Sequence, residues 1–292
     1  FRFTTLALDA SIIQTSESWD YDHSFDFQAN LLAFLETVGN YIQTRLKKRE
    51  VIGMAVIVPG PFDVEEDYVN NQRIPALTQI KIKALLRKTL GPYSYYVDED
   101  VKFAVRAYLP DMRASECQTL YYLFVGEGVG GASMLNGSVL CGLNSVAGDF
   151  GQLLLNGQSC ESLISLRAFI ARIGGQPSQN MNQQQLLDVA MNVARHESDR
   201  YAKSLEDVAD IIAQLLHQVV WMLDPMKIVL DCIYAPPMED FFIKKVRQAL
   251  KKKLSSTLKM PEILLADKDM PGVLLGAWPV ISHDWIRTMV RQ

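Results

Sequence analysis

The sequence predicts an α/β fold that is duplicated, with two lobes and a cleft between them. Three observations predict it. Short apolar or alternating runs are bounded by Gly, Pro, Asn and Asp; amphipathic helical stretches separate them; and a similar order of strands and helices recurs in the two halves. At 292 residues the chain is also longer than one compact core usually serves, and the pattern divides into an N-terminal lobe, 1–98, and a C-terminal lobe, 99–292.

Phe1 to Ser18 alternates as strands do, with Phe3 to Leu8, a turn at Asp9-Ala10-Ser11, and a second strand. Leu31, Phe34, Leu35, Val38, Ile42 and Leu46 recur at helical spacing, and that helix ends in Lys47-Lys48-Arg49. Val51 to Val58 is apolar throughout, as expected of a parallel strand buried on both faces, and Pro59-Gly60-Pro61 stops it. Ile80 to Leu90 reads as a helix, and Tyr95-Tyr96-Val97 as a short strand.

In the second half, Gln118 to Val125 reads as a strand, Gly126 to Gly131 as a glycine-rich turn and Ala132 to Leu135 as a strand. Asn136-Gly137 is a two-residue hairpin signal leading into Ser138-Val139-Leu140. Helices follow, the clearest from Leu205 to Leu223, with Val208, Ile211, Ile212, Leu215, Val219 and Met222 on one stripe. Met226 to Leu230 is a strand, Met238 to Leu254 a helix and Glu262 to Leu265 a last strand. The second half opens on a strand and glycine turn before its hairpin, whereas the first opens directly on a hairpin. A first strand and its loop are therefore expected ahead of Phe1.

Composition excludes several classes. Hydrophobic residues make up 49% and charged residues 21%, ordinary globular usage. No apolar run reaches the roughly eighteen residues that span a bilayer. Phe1-Arg2-Phe3-Thr4-Thr5 has neither the basic region nor the apolar stretch of a signal peptide, so a cytoplasmic protein without a membrane partner is expected. A formal net charge of −4 argues against strong DNA binding by these residues themselves, and Lys251-Lys252-Lys253 reads as a solvated helix end. The four cysteines (Cys117, Cys141, Cys160, Cys232) form no CxxC pair, and the four histidines (His23, His196, His217, His283) are scattered. Ordinary reduced thiols are expected, with no zinc motif and no cofactor.

Val125-Gly126-Glu127-Gly128-Val129-Gly130-Gly131, running on to Asn136-Gly137, resembles the strand, GTGxGGG-type turn, strand and NG hairpin of the ROK family (repressors, open reading frames and kinases). Glycines allow backbone N–H groups to approach a phosphate and permit positive φ; taken alone, they are better explained by a plain tight turn. Gly142 to Gln152 is similar to the family's GxxGxxGEIGH block, with Asp149 at the acidic, sugar-binding position and Gln152 where the zinc-linked histidine stands. The alternative for Asp149 is a helix cap or turn residue. Of the family's CxCGxxGCxE zinc loop only Leu155 to Leu163 remains, with Cys160 one place from the last cysteine and Glu161 on the terminal glutamate. Glu161 is either a sugar acceptor or a first-turn carboxylate of a helix.

Val97-Asp98-Glu99-Asp100-Val101-Lys102-Phe103-Ala104 resembles the ENDANAAA block. By position Asp100 matches the catalytic base of the kinases, Glu99 replaces a sugar-binding Asn and Lys102 a second Asn. An acidic helix N-terminus is the alternative reading of this trio. Pro59-Gly60-Pro61-Phe62-Asp63 resembles the PGPVD turn, and Arg73-Ile74-Pro75-Ala76-Leu77 the PNL stretch, with Ala76 in place of Asn. The nucleotide-facing GGG is replaced by Leu230-Asp231-Cys232-Ile233-Tyr234, while Gly272 to Ala277 keeps the C-terminal pattern.

The resemblance implies the actin-like (ribonuclease H-like, sugar kinase/Hsp70-type) version of the duplicated fold. It implies a ligand set of Glu99, Asp100, Asp149, Gln152 and Glu161 and a phosphate loop at Gly128, Gly130 and Gly131; because Gln152 and the lost cysteine loop depart from the family's zinc ligands, no metal is expected. With both phosphate surfaces altered, the expected function is the effector-binding and dimerisation domain of a ROK-type transcriptional regulator. Its partners would be a sugar or sugar phosphate, a second copy of the chain, and DNA only through an upstream helix-turn-helix outside these residues. An active ATP-dependent sugar kinase with Asp100 as base is the alternative, and a pseudo-enzyme acting through protein contacts a third.

Overall fold

The computed structural model describes residues 1–7, 9, 11–16, 26–46, 51–71, 74–108, 119–267 and 272–290. Leu8, Ala10, Ser18, His23, the Lys47-Lys48-Arg49 helix end, Arg73, Cys117 and Gln118 lie outside the described residues. The chain forms two compact units, one of Phe1–Ala107, Gly142–Val146 and Pro271–Gln292, the other of Tyr108–Cys141 and Ala147–Met270. This differs from a single division at residue 98: residues 99–107, 142–146 and 271–292 belong with the first unit.

In the first unit, β1 (Thr4–Leu6) and β2 (Ile12–Thr15) form an antiparallel hairpin. Helix α1 (Phe27–Arg45) starts at Asp26, whose Oδ1 accepts from Ala29 N–H at 2.7 Å, so a carboxylate side chain satisfies one of the open donors of the first turn. Strand β3 (Met54–Val58) runs parallel to β6 (Tyr95–Glu99), and β4 (Phe62–Asp63) pairs with β5 (Tyr68–Val69). The expected burial of β3 on both faces is not met: Ile57 is 38% exposed, because the sheet is only two strands wide among the described residues. A 3₁₀ turn, Pro75–Gln79, precedes α2 (Ile82–Leu90), whose Ile82 and Leu86 join Leu35, Phe62, Val69 and Val97 in this unit's core. β6 passes directly into α3 (Asp100–Arg106).

The second unit is built on a five-stranded mixed sheet of order β13-β12-β7-β8-β9. β7 (Thr119–Val125), β8 (Val129–Leu135) and β9 (Ser138–Val139) are antiparallel neighbours; β12 (Lys227–Cys232) and β13 (Glu262–Leu265) run parallel to β7. Asn136 (φ 50°) and Gly137 (φ 76°) make the two-residue hairpin turn anticipated from their sequence. A small hairpin, β10 (Leu154–Leu155) and β11 (Gln158–Ser159), leads into α4 (Cys160–Ile164) and α5 (Leu166–Arg172). Helices α6 (Gln183–His196), α7 (Ser198–Leu223) and α8 (Glu239–Lys253) follow.

The apolar stripe of α7, with Leu205, Val208, Ile212, Leu215 and Val219 fully buried, belongs to the same core as Tyr121 and Leu123 of β7 and Ile228 of β12. Three aromatic side chains tie this core together. Phe169 stacks on Tyr234 at 4.2 Å, the Tyr234 hydroxyl donates to the Ile164 carbonyl at 2.6 Å, and the Tyr201 hydroxyl donates to the Tyr234 carbonyl. Buried polar tips that find backbone acceptors avoid the desolvation penalty that would otherwise offset ring burial.

The chain returns to the first unit as α9 (Gly272–Val290), which packs along α3 and carries Pro279 inside the helix. Gly276 lies against the Phe103 carbonyl, closer than any Cβ would permit, and the Tyr96 hydroxyl donates to Asp284. No helix among the described residues is long and apolar enough to cross a membrane.

Candidate functional site

In the first unit the candidate residues sit where β6 becomes α3. Burial alternates along β6, so Tyr95, Val97 and Glu99 face inward and Asp98 lies between them at intermediate exposure. Glu99 is 6% exposed and Lys102, three residues on, only 1%. The Lys102 ammonium lies 3.0 Å from Glu99 Oε2 and 3.5 Å from Asp98 Oδ1, and donates to the Ser145 carbonyl at 2.6 Å. Arg106 donates to Asp98 Oδ2 at 2.7 Å and also holds the Lys102 carbonyl at 3.1 Å. Two carboxylates therefore meet two cations, an arrangement that a low-dielectric site tolerates far better than clustered like charge. Asp100, the first residue of α3, is exposed, and its Oδ1 accepts from the Val101 N–H at 2.7 Å.

The second unit gathers Asp149, Glu161 and the glycine turn. Only Gly126-Glu127-Gly128 connects β7 to β8; Gly130 and Gly131 lie within β8, opposite Phe124 and Leu123. No glycine from 126 to 131 adopts a left-handed φ. The expected phosphate loop is thus a three-residue hairpin connection, and Gly131 is required for another reason. A Cβ there would collide with the Tyr121 hydroxyl and approach the Gly148 carbonyl oxygen to 2.6 Å.

The hairpin carries one carboxylate of its own, and a second reaches it from α4. Glu127 Oε1 accepts from Arg167 Nη2 at 2.9 Å and Nε at 3.2 Å, and the same guanidinium donates to the carbonyls of Ser178 and Met181, each at 2.8 Å. Glu161, in the first turn of α4, accepts from the Val129 N–H through Oε2 at 3.1 Å. Its own N–H donates to the Gly151 carbonyl at 2.9 Å, and the Gly151 N–H donates to Asp149 Oδ1 at 3.2 Å. Gly151 must lack a side chain, because a Cβ would run into the Val129 carbonyl. Asp149 and Glu161 are thus linked to the hairpin through one glycine, at intermediate exposure. Gln152 is exposed. On the neighbouring strand β12, level with the hairpin end of β7, Asp231 Oδ2 accepts from the Tyr122 hydroxyl at 2.6 Å, and burial raises the Asp231 carboxyl above its ordinary range.

The structural zinc that the resemblance would bring does not fit the donors present. Gln152 is a poor zinc ligand, and burial pushes the Cys160 thiol up to about 11, away from the thiolate that coordinates metal. Cys141, Cys160 and Cys232 are free of disulfides.

Asp149, Glu161 and Gly128 come together, with Gly130 and Gly131 on the adjoining strand; Glu99 and Asp100 lie in the first unit. Glu161 is a first-turn carboxylate of its helix, and its Oε2 also holds the hairpin. The Glu127–Arg167 and Tyr122–Asp231 pairs were missed. A carboxylate inside a glycine turn could have prompted a search for its cation, but nothing in the sequence singles out Arg167.

The family model for the ROK family matches residues 10–282. A putative sugar kinase from Cytophaga hutchinsonii superposes with a TM-score of 0.75 at 19% identity, over 96% of this chain and 95% of that one. A ROK family protein from Streptococcus pneumoniae in complex with sucrose gives 0.72 at 19% identity, over 97% and 96%. A ROK family transcriptional regulator, a homolog of the E. coli MLC protein, gives 0.73 at 17% identity, covering all of this chain and 78% of that one. The fold is that of the actin-like ATPases.

Proposed function

The chain belongs to the ROK family, and from that premise we propose that it is the effector-binding and dimerisation domain of a transcriptional regulator, with a sugar or sugar phosphate as effector. The observation that carries the reading is the state of the β7–β8 hairpin. Transfer of a phosphoryl group depends on donors and cations aimed at phosphate oxygens. Here Glu127 stands in the hairpin, its arginine is engaged by that carboxylate, and Glu161 takes the Val129 N–H. Carboxylates at this place repel a nucleotide's phosphates.

Asp149 and Glu161 are suited to sugar hydroxyls. A carboxylate oxygen accepts more than one hydrogen bond, and charge-assisted bonds are about twice as strong as neutral ones. The pneumococcal relative's complex with sucrose supports a saccharide as the ligand class. Gln152, exposed just after the same turn, joins Asp149 and Glu161 in the proposed ligand set. Self-association would use the end of α7, where Trp221 is 63% and Met222 64% exposed, and DNA contact would come from a helix-turn-helix outside this chain.

The second reading, a sugar kinase, is favoured by the exposed Asp100 at the start of α3 and by the Cytophaga relative. Thermal shift with glucose, N-acetylglucosamine and glucose 6-phosphate separates the two. One of them raises the melting temperature, Asp149→Ala abolishes the rise, and ATP with magnesium yields no sugar phosphate. Turnover of a hexose with ATP, lost in Asp100→Asn, would establish the kinase instead.

A further inference from the structure

The outer face of α8 carries a charge pattern that neither the core nor the proposed effector site explains. From Phe241 to Pro261 the chain holds seven cations and no carboxylate, although the whole sequence has 33 acidic against 29 basic residues. Two of the seven are engaged: Lys245 pairs with Glu206 at 2.6 Å, and Arg247 donates to the Ile263 carbonyl at 2.5 Å. Lys244, Lys251, Lys252, Lys253 and Lys259 are exposed and have no recorded partner among the described residues. Helical spacing puts Lys244, Gln248, Lys251 and Lys252 on one stripe about 12 Å long, opposite the buried Phe242, Val246 and Leu250. Gln248, Lys251 and Lys252 line a shallow, open depression of about 530 Å³. Beyond the helix end the exposed Ser255, Ser256 and Thr257 lead on to Lys259.

The helix dipole accounts for Lys251, Lys252 and Lys253 in the last turn. It does not account for Lys244 in the first half of the helix or for Lys259 beyond its end. Arg247 and Lys251, like charges one turn apart, work against the helix, and no acidic residue alternates with them as on an ordinary solvated face. The stripe also lacks what other partners need. Protein interfaces are depleted in lysine and anchored by apolar or aromatic side chains, and a membrane-surface helix buries an apolar face. We propose that this lysine row lies along the phosphate backbone of duplex DNA, a contact without sequence preference that adds to base reading by a helix-turn-helix outside this chain. Lysine suits the role as a compact point charge, and serine and threonine hydroxyls also donate to phosphate oxygens. A duplex carries one negative charge per about 1.7 Å of axis, so the row faces several phosphates. The acidic remainder of the chain keeps the contact weak, with a Kd on the order of 100 μM near physiological salt. The choice of DNA among polyanions rests on the regulator reading, while the row itself does not depend on the sugar site.

The test titrates the whole chain into a fluorescently labelled duplex of about 20 base pairs and arbitrary sequence, at salt concentrations from about 20 to 200 mM, and reads anisotropy. Five lysines should give a slope of about −4.5 for log K against log salt, a fall of about 500-fold between 50 and 200 mM. Lys251→Gln, Lys252→Gln and Lys253→Gln together should flatten the slope to about −2. The far-ultraviolet circular dichroism spectrum should not change, because all three side chains are exposed. Lys88→Gln with Lys203→Gln, which removes exposed charge from α2 and α7, should leave the slope as it was. Absence of binding at the lowest salt, or a slope that the triple variant does not alter, would overturn the proposal. So would binding to phosphatidylglycerol vesicles or to polyglutamate as tight as to the duplex, which would assign the row to a membrane or to an acidic protein. No sugar enters this titration and no DNA enters the thermal shifts. Lost DNA binding with an intact sugar shift therefore overturns the lysine row alone, and intact DNA binding with no sugar shift overturns the effector reading alone.

Discussion

At the β6–α3 junction of the first unit, Asp98 and Glu99 meet Lys102 and Arg106, cations supplied by the same short helix. In the second unit, Asp149 and Glu161 meet the backbone N–H groups of Gly151 and Val129. The residues are of one chemical type, and the two settings give them different capacities. A carboxylate neutralised by a buried cation is committed, because withdrawing it strands the partner charge. A carboxylate that accepts from backbone amides instead fixes the chain around it. The first cluster ties α3 to β6 through charge, and the second ties the Asp149 turn to the β7–β8 hairpin through the main chain.

The severest way to break this comparison is to remove Lys102. Lys102→Ala leaves Glu99 buried beside Asp98 without its cation, a change that costs on the order of 3–5 kcal/mol where a buried pair is broken. It should also release the Ser145 carbonyl, and with it the Gly142–Val146 loop. Urea unfolding monitored by far-ultraviolet circular dichroism should show the lowered midpoint. Lys102→Met combined with Glu99→Gln should recover a substantial part of the loss. If Lys102→Ala were neutral, Asp98 and Glu99 would not be committed, and the contrast between the units would fail.

How far the sequence foretold these two regions depends on whether the deciding contact is local. The Asn136-Gly137 turn and the α7 stripe were legible because each is set by residues within a few positions of one another. Helix α9 was harder to read, with Pro279 inside an almost continuously apolar run. Gly130 and Gly131 looked like turn residues because glycine in a run normally marks a turn. Their place in β8 depends on pairing with β7, and Gly131 on a tyrosine from the opposite strand. The candidate site divides in the same way. Asp149 and Glu161 stood out by their neighbours, and the Lys102–Glu99 pair follows from three-residue helical spacing. The bond from Lys102 to Ser145 spans 43 residues and that from Arg167 to Glu127 spans 40, separations that no local pattern encodes.

A smaller effect sharpens the second half of the comparison. Gly151→Ala drives a Cβ into the Val129 carbonyl and to within 3.4 Å of Asp149 Oδ1. Forcing an atom into such a contact costs about 1–3 kcal/mol. The strain falls on the residue that links Asp149 to Glu161, so the thermal shift produced by the effector should vanish along with a modest drop in melting temperature. A variant that melted lower yet kept the full ligand shift would show that the two carboxylates act independently of their shared glycine.

The smallest effect comes from a third setting, a carboxylate whose recorded partner is a neutral hydroxyl. Asp231 accepts from Tyr122, and burial raises its pKa, the hydroxyl's favourable bond notwithstanding. The folded chain therefore holds the Asp231 proton to higher pH than the unfolded chain, where the carboxyl titrates at 3.8. Between those two values unfolding releases a proton, so this group's contribution to stability falls as pH rises through the window and is constant above it. Asp231→Asn removes the burdened charge while its amide oxygen still accepts from Tyr122. Melting curves should show the variant above the parent at pH 7, by an amount on the order of 1 °C, with the gain shrinking as pH is lowered towards 3.8. Asp98→Asn in the first unit should have the opposite sign at pH 7, because there a cation loses its partner. The paired signs are the measurement: two aspartates, each replaced by the same amide, moving stability in opposite directions according to whether a cation or a hydroxyl faces them. Two shifts of the same sign would mean that partner chemistry does not govern what these carboxylates contribute.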